Sequence, residues 1–261
     1  LMQKNNIKVI DGSATVADKC RLDVTHKGVV TQYRSNHIIL ATGARARNLP
    51  NIEIDGDLVW GAREAMTPTA LPGSLLVIGG GAIGVEFASL YNDLGTDVTL
   101  VEAAERITPA EDAEISSLAE RSFKQRGIKV LTNSVVNFLE GAGEQALASI
   151  KGPSGEHQLK FDQVILAVGI QGNIEGLGLK SLGVKTEHSF LITDPFGKTN
   201  LAGLSAIGDV AGAPWLAHKA SHEAIVCVEK IAGIEGIEPL NKDRVPGCTY
   251  CRPQIASVGL T

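Results

Sequence analysis

Three groupings in this 261-residue sequence combine residue types and spacings that suit chemistry. The first is Gly79-Gly80-Gly81-Ala82-Ile83-Gly84, a G-x-G-x-x-G run that follows an apolar stretch and opens a helical pattern. In that setting Gly79 permits a tight turn, Gly81 removes a side chain that would block a pyrophosphate, and Gly84 lets a helix pack closely on its sheet. Free N–H groups and the positive dipole end of the helix would then face the phosphates. The confirming residue is Glu102, 18 positions beyond Gly84 at the end of the next apolar run. A carboxylate there accepts hydrogen bonds from ribose hydroxyls and repels a 2′-phosphate, so the expected ligand is NAD rather than NADP. Arg106, four residues later, is a basic side chain that argues the other way.

The second grouping is Cys248-Thr249-Tyr250-Cys251. By spacing alone it could be a redox dithiol or half of a zinc site. A zinc site needs about four ligands, and the other cysteines, Cys20 and Cys227, are isolated. A thioredoxin-like pair opens a helix, whereas Pro246-Gly247 and Arg252-Pro253 flank this one. Structural or incidental thiols are the preferred reading. The third grouping, His218 and His222, is spaced i,i+4 on a predicted helix and could face one metal. The H-E-x-x-H arrangement is absent, and no metal site is expected.

Positioning the glycine run requires a strand before it and a helix and strand after it. Residues 75–78 form an apolar run, residues 82–94 have helical spacing and residues 97–101 form a second apolar run. That order is a parallel βαβ unit. A second helix is expected over 112–126, closed by Gly127, with Ile115, Leu118, Ala119 and Phe123 as its apolar face. Residues 128–131 make the next parallel strand. Runs at 135–139, 146–151 and 158–161 read as an antiparallel excursion, and residues 164–168 return as a buried strand. Ahead of the unit, residues 7–10, 21–25, 29–33 and 36–40 read as a small β-meander feeding a buried strand. Behind it, residues 204–207 read as a short strand and residues 216–232 as a helix closed by Gly233. The fold class is therefore α/β.

Composition narrows the function further. Glycine makes up 29 of 261 residues, about 11% against a usual ~7%, consistent with loops that phosphates approach. A net charge of −5 and no Lys/Arg run longer than two residues argue against nucleic acid. The longest apolar stretch, residues 74–85, holds four glycines and is too short for a bilayer, which needs roughly 20 residues. No membrane span is expected. The opening Leu1-Met2-Gln3-Lys4 carries no basic-then-apolar leader, and four cysteines do not form a secreted disulfide framework. An intracellular chain is expected, cytoplasmic or, in a eukaryote, in the mitochondrial matrix.

Six stretches together resemble the dihydrolipoamide dehydrogenase family of FAD- and NAD-dependent disulfide oxidoreductases. They are Ile38-Ile39-Leu40-Ala41-Thr42-Gly43, residues 79–86, Ala167-Val168-Gly169, residues 199–209, Pro214-Trp215-Leu216-Ala217-His218-Lys219-Ala220, and residues 250–259. The resemblance spans essentially the whole chain. It implies a Rossmann-type NAD-binding domain over 49–169, part of an FAD-binding domain over 1–48 and 170–240, and the start of a dimer-interface domain over 241–261. For NAD it implies contacts from Gly79, Gly81, Ala82, Ile83, Gly84, Glu86, Glu102, Val135 and Gly169, with Val135 near the adenine and Glu86 and Gly169 toward the nicotinamide. For FAD it implies Ala14, Thr42, Gly43, Asp209, Trp215, Leu216, Ala217 and His218, with Asp209 accepting from the ribityl hydroxyls.

Two departures stand out. Family members commonly carry Arg-Arg-Pro-Asn where this chain has Ile170-Gln171-Gly172-Asn173, and Trp215 stands where Met is more usual. The family's first G-x-G-x-x-G, its C-x-x-x-x-C redox pair and its His-Glu acid-base pair have no counterpart in the 261 residues. An internal fragment with no catalytic residue of its own is therefore expected, binding NAD and inactive alone. For the parent enzyme the resemblance implies a homodimer acting on the lipoyl domain of 2-oxoacid dehydrogenase complexes. The alternatives are a non-catalytic NAD-binding module, or a glutathione or mercuric reductase-like relative; the latter generally prefer NADP and would want basic residues at position 102.

Overall fold

The computed structural model describes residues 1–260; Thr261, the last residue of the segment expected to open an interface domain, lies outside them. The chain divides into two compact units, one built from Leu1–Arg45 and Gln171–Lys242, the other from Ala46–Ile170 and the C-terminal segment beginning at Asp243.

In the second unit, five parallel strands form a sheet in the order Val59–Trp60, Gln163–Leu166, Ser74–Ile78, Asp97–Val101, Lys129–Leu131. Alternation along the central strand decides what covers each face. Leu75 and Val77 join a core with Val85, Ala88 and Tyr91 of helix Ala82–Asp93 and Ala119 and Phe123 of helix Ala113–Gln125. Leu76 and Ile78 point the other way, into a core with Ala146, Ala148, Ile150 and Phe161. Those residues belong to a three-stranded antiparallel sheet, Val135–Ala142, Gln145–Gly152 and Gly155–Phe161. Asp162 fastens this sheet to the central strand, accepting from Ser74 N at 2.7 Å and from Gln145 Nε2 at 2.8 Å. The expected βαβ unit and antiparallel excursion are both present.

Helix Ala113–Gln125 corrects one expectation. Asp112 caps it by accepting from Glu114 N, and its buried stripe is Ser116, Ala119 and Phe123. Ile115 and Leu118 are 40% and 48% exposed. Ser116 can lie on the buried face because its hydroxyl is satisfied there, donating to Thr108 O at 3.0 Å.

In the first unit, an antiparallel meander runs Ser13–Asp18, Arg21–His26, Val29–Arg34. The expected first strand over 7–10 is not formed. Ile7, Val9 and Ile10 are exposed, and strand propensity has no effect without a partner and a face to bury. Val16, inside the strand that takes that place, enters the core with Ile38, Leu40, Leu204 and Ala206. Ile38–Leu40 pairs in parallel with Leu204–Ala206. A 3-10 turn, Gly208–Ala211, and helix Ala217–Ile231 follow.

Candidate functional site

The glycine turn stands at the end of strand Ser74–Ile78. Gly79 has φ +106°, and a Cβ added there would strike the Ala167 carbonyl. A Cβ on Gly84 would strike the carbonyl of Gly79, so this glycine sets how closely the helix lies on the strand. Gly81 differs from both: nothing lies within 4 Å of the Cβ it lacks. It is the N-cap of the helix, and no side chain caps that end. The backbone amides of the first turn are thus left for an outside acceptor, with the exposed Ala82 and Ile83 beside them. Open space and uncapped amides are the features that a diphosphate would fit.

Glu102 completes the turn. Its Oε2 accepts from Gly80 N at 2.6 Å and its Oε1 from Ala104 N at 2.7 Å. Thr108 N donates to Gly80 O at 2.7 Å, so the peptide groups around Gly80 are held from both sides. Arg106 is committed elsewhere: its guanidinium donates to Glu105 Oε1 at 3.2 Å and Pro109 O at 3.4 Å. Ser134 N donates to Glu102 O at 3.0 Å, which places neighbouring Val135 at the rim of the turn, on the first residue of its strand.

Glu86 lies on the turn's helix and accepts from Tyr250 N at 2.7 Å; three residues on, Ser89 Oγ accepts from Arg252 N at 3.0 Å. Gly169, φ +107°, accepts from Arg47 N at 3.0 Å. Gly79, Gly81, Ala82, Ile83 and Gly84 therefore form one turn, Glu102 is hydrogen-bonded to it, and Val135 follows Ser134, which bonds the Glu102 carbonyl. Glu86 sits one helical turn further on, and Gly169 follows the strand end that touches Gly79.

The flavin-assigned residues lie in the other unit. Thr42 Oγ1 donates to Asn173 O at 2.8 Å, Asn173 Nδ2 returns a bond to Thr42 O at 2.9 Å, and Asn173 N donates to Gly43 O at 3.0 Å. The departure at 170–173 has a local logic. Arg45 pairs with both carboxylate oxygens of Glu175 at 2.8 and 2.9 Å and with Asn173 Oδ1 at 2.9 Å. With its amide turned to face Arg45, Gln171 adds an acceptor at 2.6 Å. This hydrogen bonding from Arg45 holds the Glu175 carboxyl down at about 2.

Asp209, half-buried, lies in the Gly208–Ala211 turn. Trp215 is exposed on one side and stacks at 5.4 Å on Phe190. Leu216 is the N-cap of helix Ala217–Ile231, again with no side-chain cap, and Ala217 and His218 open that helix as exposed residues. Ala14 is an exposed residue of the meander's first strand, opposite Val24. Sequence reasoning passed over Lys219 and Glu223, a fully buried lysine paired with a partly buried carboxylate beside the Asp209 turn. Their i,i+4 spacing on a predicted helix was the available signal.

The Cys248–Cys251 pair has the surroundings of ordinary thiols. Cys248 is exposed on a short hairpin strand; Cys251 is buried, donates to Pro253 O at 3.1 Å, and burial pushes its thiol up. Among the described residues no cluster of His, Cys, Asp or Glu could hold a metal, and no helix is long and apolar enough to cross a membrane.

Residues 1–224 match the model of the pyridine nucleotide-disulphide oxidoreductase family. The chain belongs to that family. Among oxidoreductases with curated names, it is 50% identical to the dihydrolipoyl dehydrogenase of Rhizobium etli, covering 100% of this chain and 58% of that protein. It is 47% identical to that of Zymomonas mobilis, covering 100% and 56%. The chain thus spans under three fifths of the length of these curated relatives. Among solved structures, it superposes on LpdA of Mycobacterium tuberculosis with a TM-score of 0.90 at 29% identity, covering 99% of this chain and 57% of that one. The flavoprotein disulfide reductase RclA of Escherichia coli, in its Cu(II) complex, gives 0.90 at 27% identity, covering 100% and 59%.

Proposed function

We propose that this chain is the NAD-binding and flavin-facing portion of a dihydrolipoyl dehydrogenase, an enzyme that oxidises protein-bound dihydrolipoyl groups with NAD as final acceptor. The observation that carries the reading is the pairing of open space at Gly81 with a carboxylate locked at Glu102. The amides of Gly81, Ala82 and Ile83 take the diphosphate. Glu102 accepts from the adenosine ribose and disfavours a 2′-phosphate, Val135 flanks the adenine, and Glu86 and the Gly169 backbone flank the nicotinamide. In the other unit, Thr42, Gly43 and Ala14 contribute to the flavin site, Asp209 accepts from the ribityl hydroxyls, and residues 215–218 lie along the ring. When bound, FAD supplies the electron relay between dithiol and nicotinamide; the protein's part is placement and exclusion of water.

The four cysteines, at 20, 227, 248 and 251, include no C-x-x-x-x-C pair, so this chain alone has no thiol relay of the family's spacing. It binds NAD, holds FAD weakly or not at all, and does not turn over. Residues 241–261 are assigned to the opening of the interface domain. The parent enzyme is a soluble homodimer that serves lipoyl domains of 2-oxoacid dehydrogenase complexes. Dihydrolipoamide-dependent NADH formation is the deciding assay: none is expected from the isolated chain, and robust turnover would overturn the assignment of its role. In FAD fluorescence titrations, Asp209→Ala should weaken quenching at least tenfold; equal quenching by both proteins would remove Asp209 from the site.

A further inference from the structure

The side chain of Lys219 is fully buried. Its ammonium group has three protons and meets three acceptors: Gly208 O at 3.0 Å, Gly212 O at 2.8 Å and Glu223 Oε2 at 3.1 Å. The same Glu223 oxygen accepts from Gly208 N at 2.8 Å. One ion pair therefore grips both ends of the Asp209 turn and ties them to the helix that begins at Ala217. The two end residues, Gly208 and Gly212, have φ of +73° and +92°, a backbone region where little but external bonding fixes the chain.

Burying an ion pair costs so much solvation that apolar residues of similar volume often serve stability as well or better. Such residues would not bond the two glycine carbonyls. Stability alone is thus a poor reason for the pair, and backbone placement is a good one.

We propose that Lys219, held by Glu223, is a positioning residue that fixes the Gly208–Gly212 turn and thereby the direction of the Asp209 carboxylate. The functional meaning rests on the reading of Asp209 as the flavin-facing acid. Lys219 itself touches no cofactor; it acts through the turn.

The test compares the wild-type chain with Lys219→Met and the double variant Lys219→Met/Glu223→Met, measuring thermal unfolding and amide exchange at Gly212. That amide closes the turn by donating to Asp209 O at 3.1 Å and has no direct bond to either altered residue. Lys219→Met should lower Tm and speed Gly212 exchange on the order of tenfold, the loss expected when two glycine carbonyls lose their donor and a partly buried carboxylate loses its cation. In the double variant, where no buried charge is left without its partner, Gly212 exchange should stay fast, because the two glycine carbonyls still lack their donor. Wild-type exchange at Gly212 in the double variant would overturn the proposal. The unaltered chain gives a readout that needs no variant: the Lys219 Nζ protons should show a resolved, slowly exchanging resonance, and rapid exchange with solvent would contradict the geometry. None of these measurements involves flavin, so their failure removes the positioning role alone, whereas the Asp209→Ala titration tests the flavin reading separately.

Discussion

The carboxylate of Glu102 accepts the amide proton of Gly80 at 2.6 Å. The acid thought to choose the cofactor is therefore fastened to the turn thought to bind the cofactor's phosphates. With Ala104 N on the second oxygen, the carboxylate has a fixed orientation before any ligand arrives. Charge-assisted bonds of this kind are short and about twice as strong as neutral ones. Selectivity and turn geometry should consequently respond together when position 102 changes.

Two of the motif glycines separate cleanly by mutation. Gly81→Ala adds a methyl into open space and should leave Tm within a few degrees of wild type while cutting NADH affinity at least tenfold. Gly84→Ala drives a methyl into the Gly79 carbonyl and should destabilise the whole unit, by the 1–3 kcal/mol typical of overpacking or more. Thermal unfolding alongside nucleotide titration reads both; undiminished NADH affinity in Gly81→Ala would remove the phosphates from the turn.

Arg45 and Glu175 set an acid-side dependence in the first unit. The folded Glu175 carboxyl titrates at about 2 against an ordinary 4.5, with the Arg45 hydrogen bond the leading cause. Because the folded value is depressed, the pair's contribution is complete above pH 4.5 and disappears as pH falls toward 2. Both side chains are roughly half exposed, so solvent screening limits the contribution to under about 1 kcal/mol. Carboxyl NMR should place the Glu175 midpoint near 2 in the wild type and back toward 4.5 in Arg45→Met. A wild-type midpoint near 4.5 would show that the bidentate pair does not persist in solution.

Helix Ala113–Gln125 offers a packing test. Ile115→Lys and Leu118→Lys place charge on the outer face and should change stability by no more than about 0.5 kcal/mol. Phe123→Ala empties a fully buried position and should cost about 3–5 kcal/mol. Denaturant unfolding measures all three, and a large loss at Ile115 would restore the face that the hydrophobic spacing selects.

That helix also marks where sequence reading stops. Gly79, Gly81, Gly84 and Glu102 were legible because their roles are steric and local: each offset within strand, turn and helix carries one requirement. The strand Asp97–Val101 was legible for the same reason, as an unbroken apolar run closed by an acid. Ile7, Val9 and Ile10 misled because β-branched residues make a strand only where a neighbour offers a ladder, and the ladder begins at Ser13. Ile115 and Leu118 misled because the face that packs is the one carrying Ala119 and Phe123, and Ser116, which the spacing reads as polar, is buried there with its hydroxyl bonded to Thr108. The Lys219–Glu223 pair and the Tyr250 bond to Glu86 depend on which backbone groups arrive opposite them. In the Glu86 case, 164 residues separate the partners, and no local pattern records that meeting.

The most direct measurement is a paired fluorescence titration of the purified chain with NADH and NADPH at one ionic strength. Saturable NADH binding is expected, with NADPH at least tenfold weaker, and Glu102→Gln should narrow that gap. Absence of NADH binding, or tighter binding of NADPH, would contradict the assignment of Glu102 and the glycine turn as an NAD site.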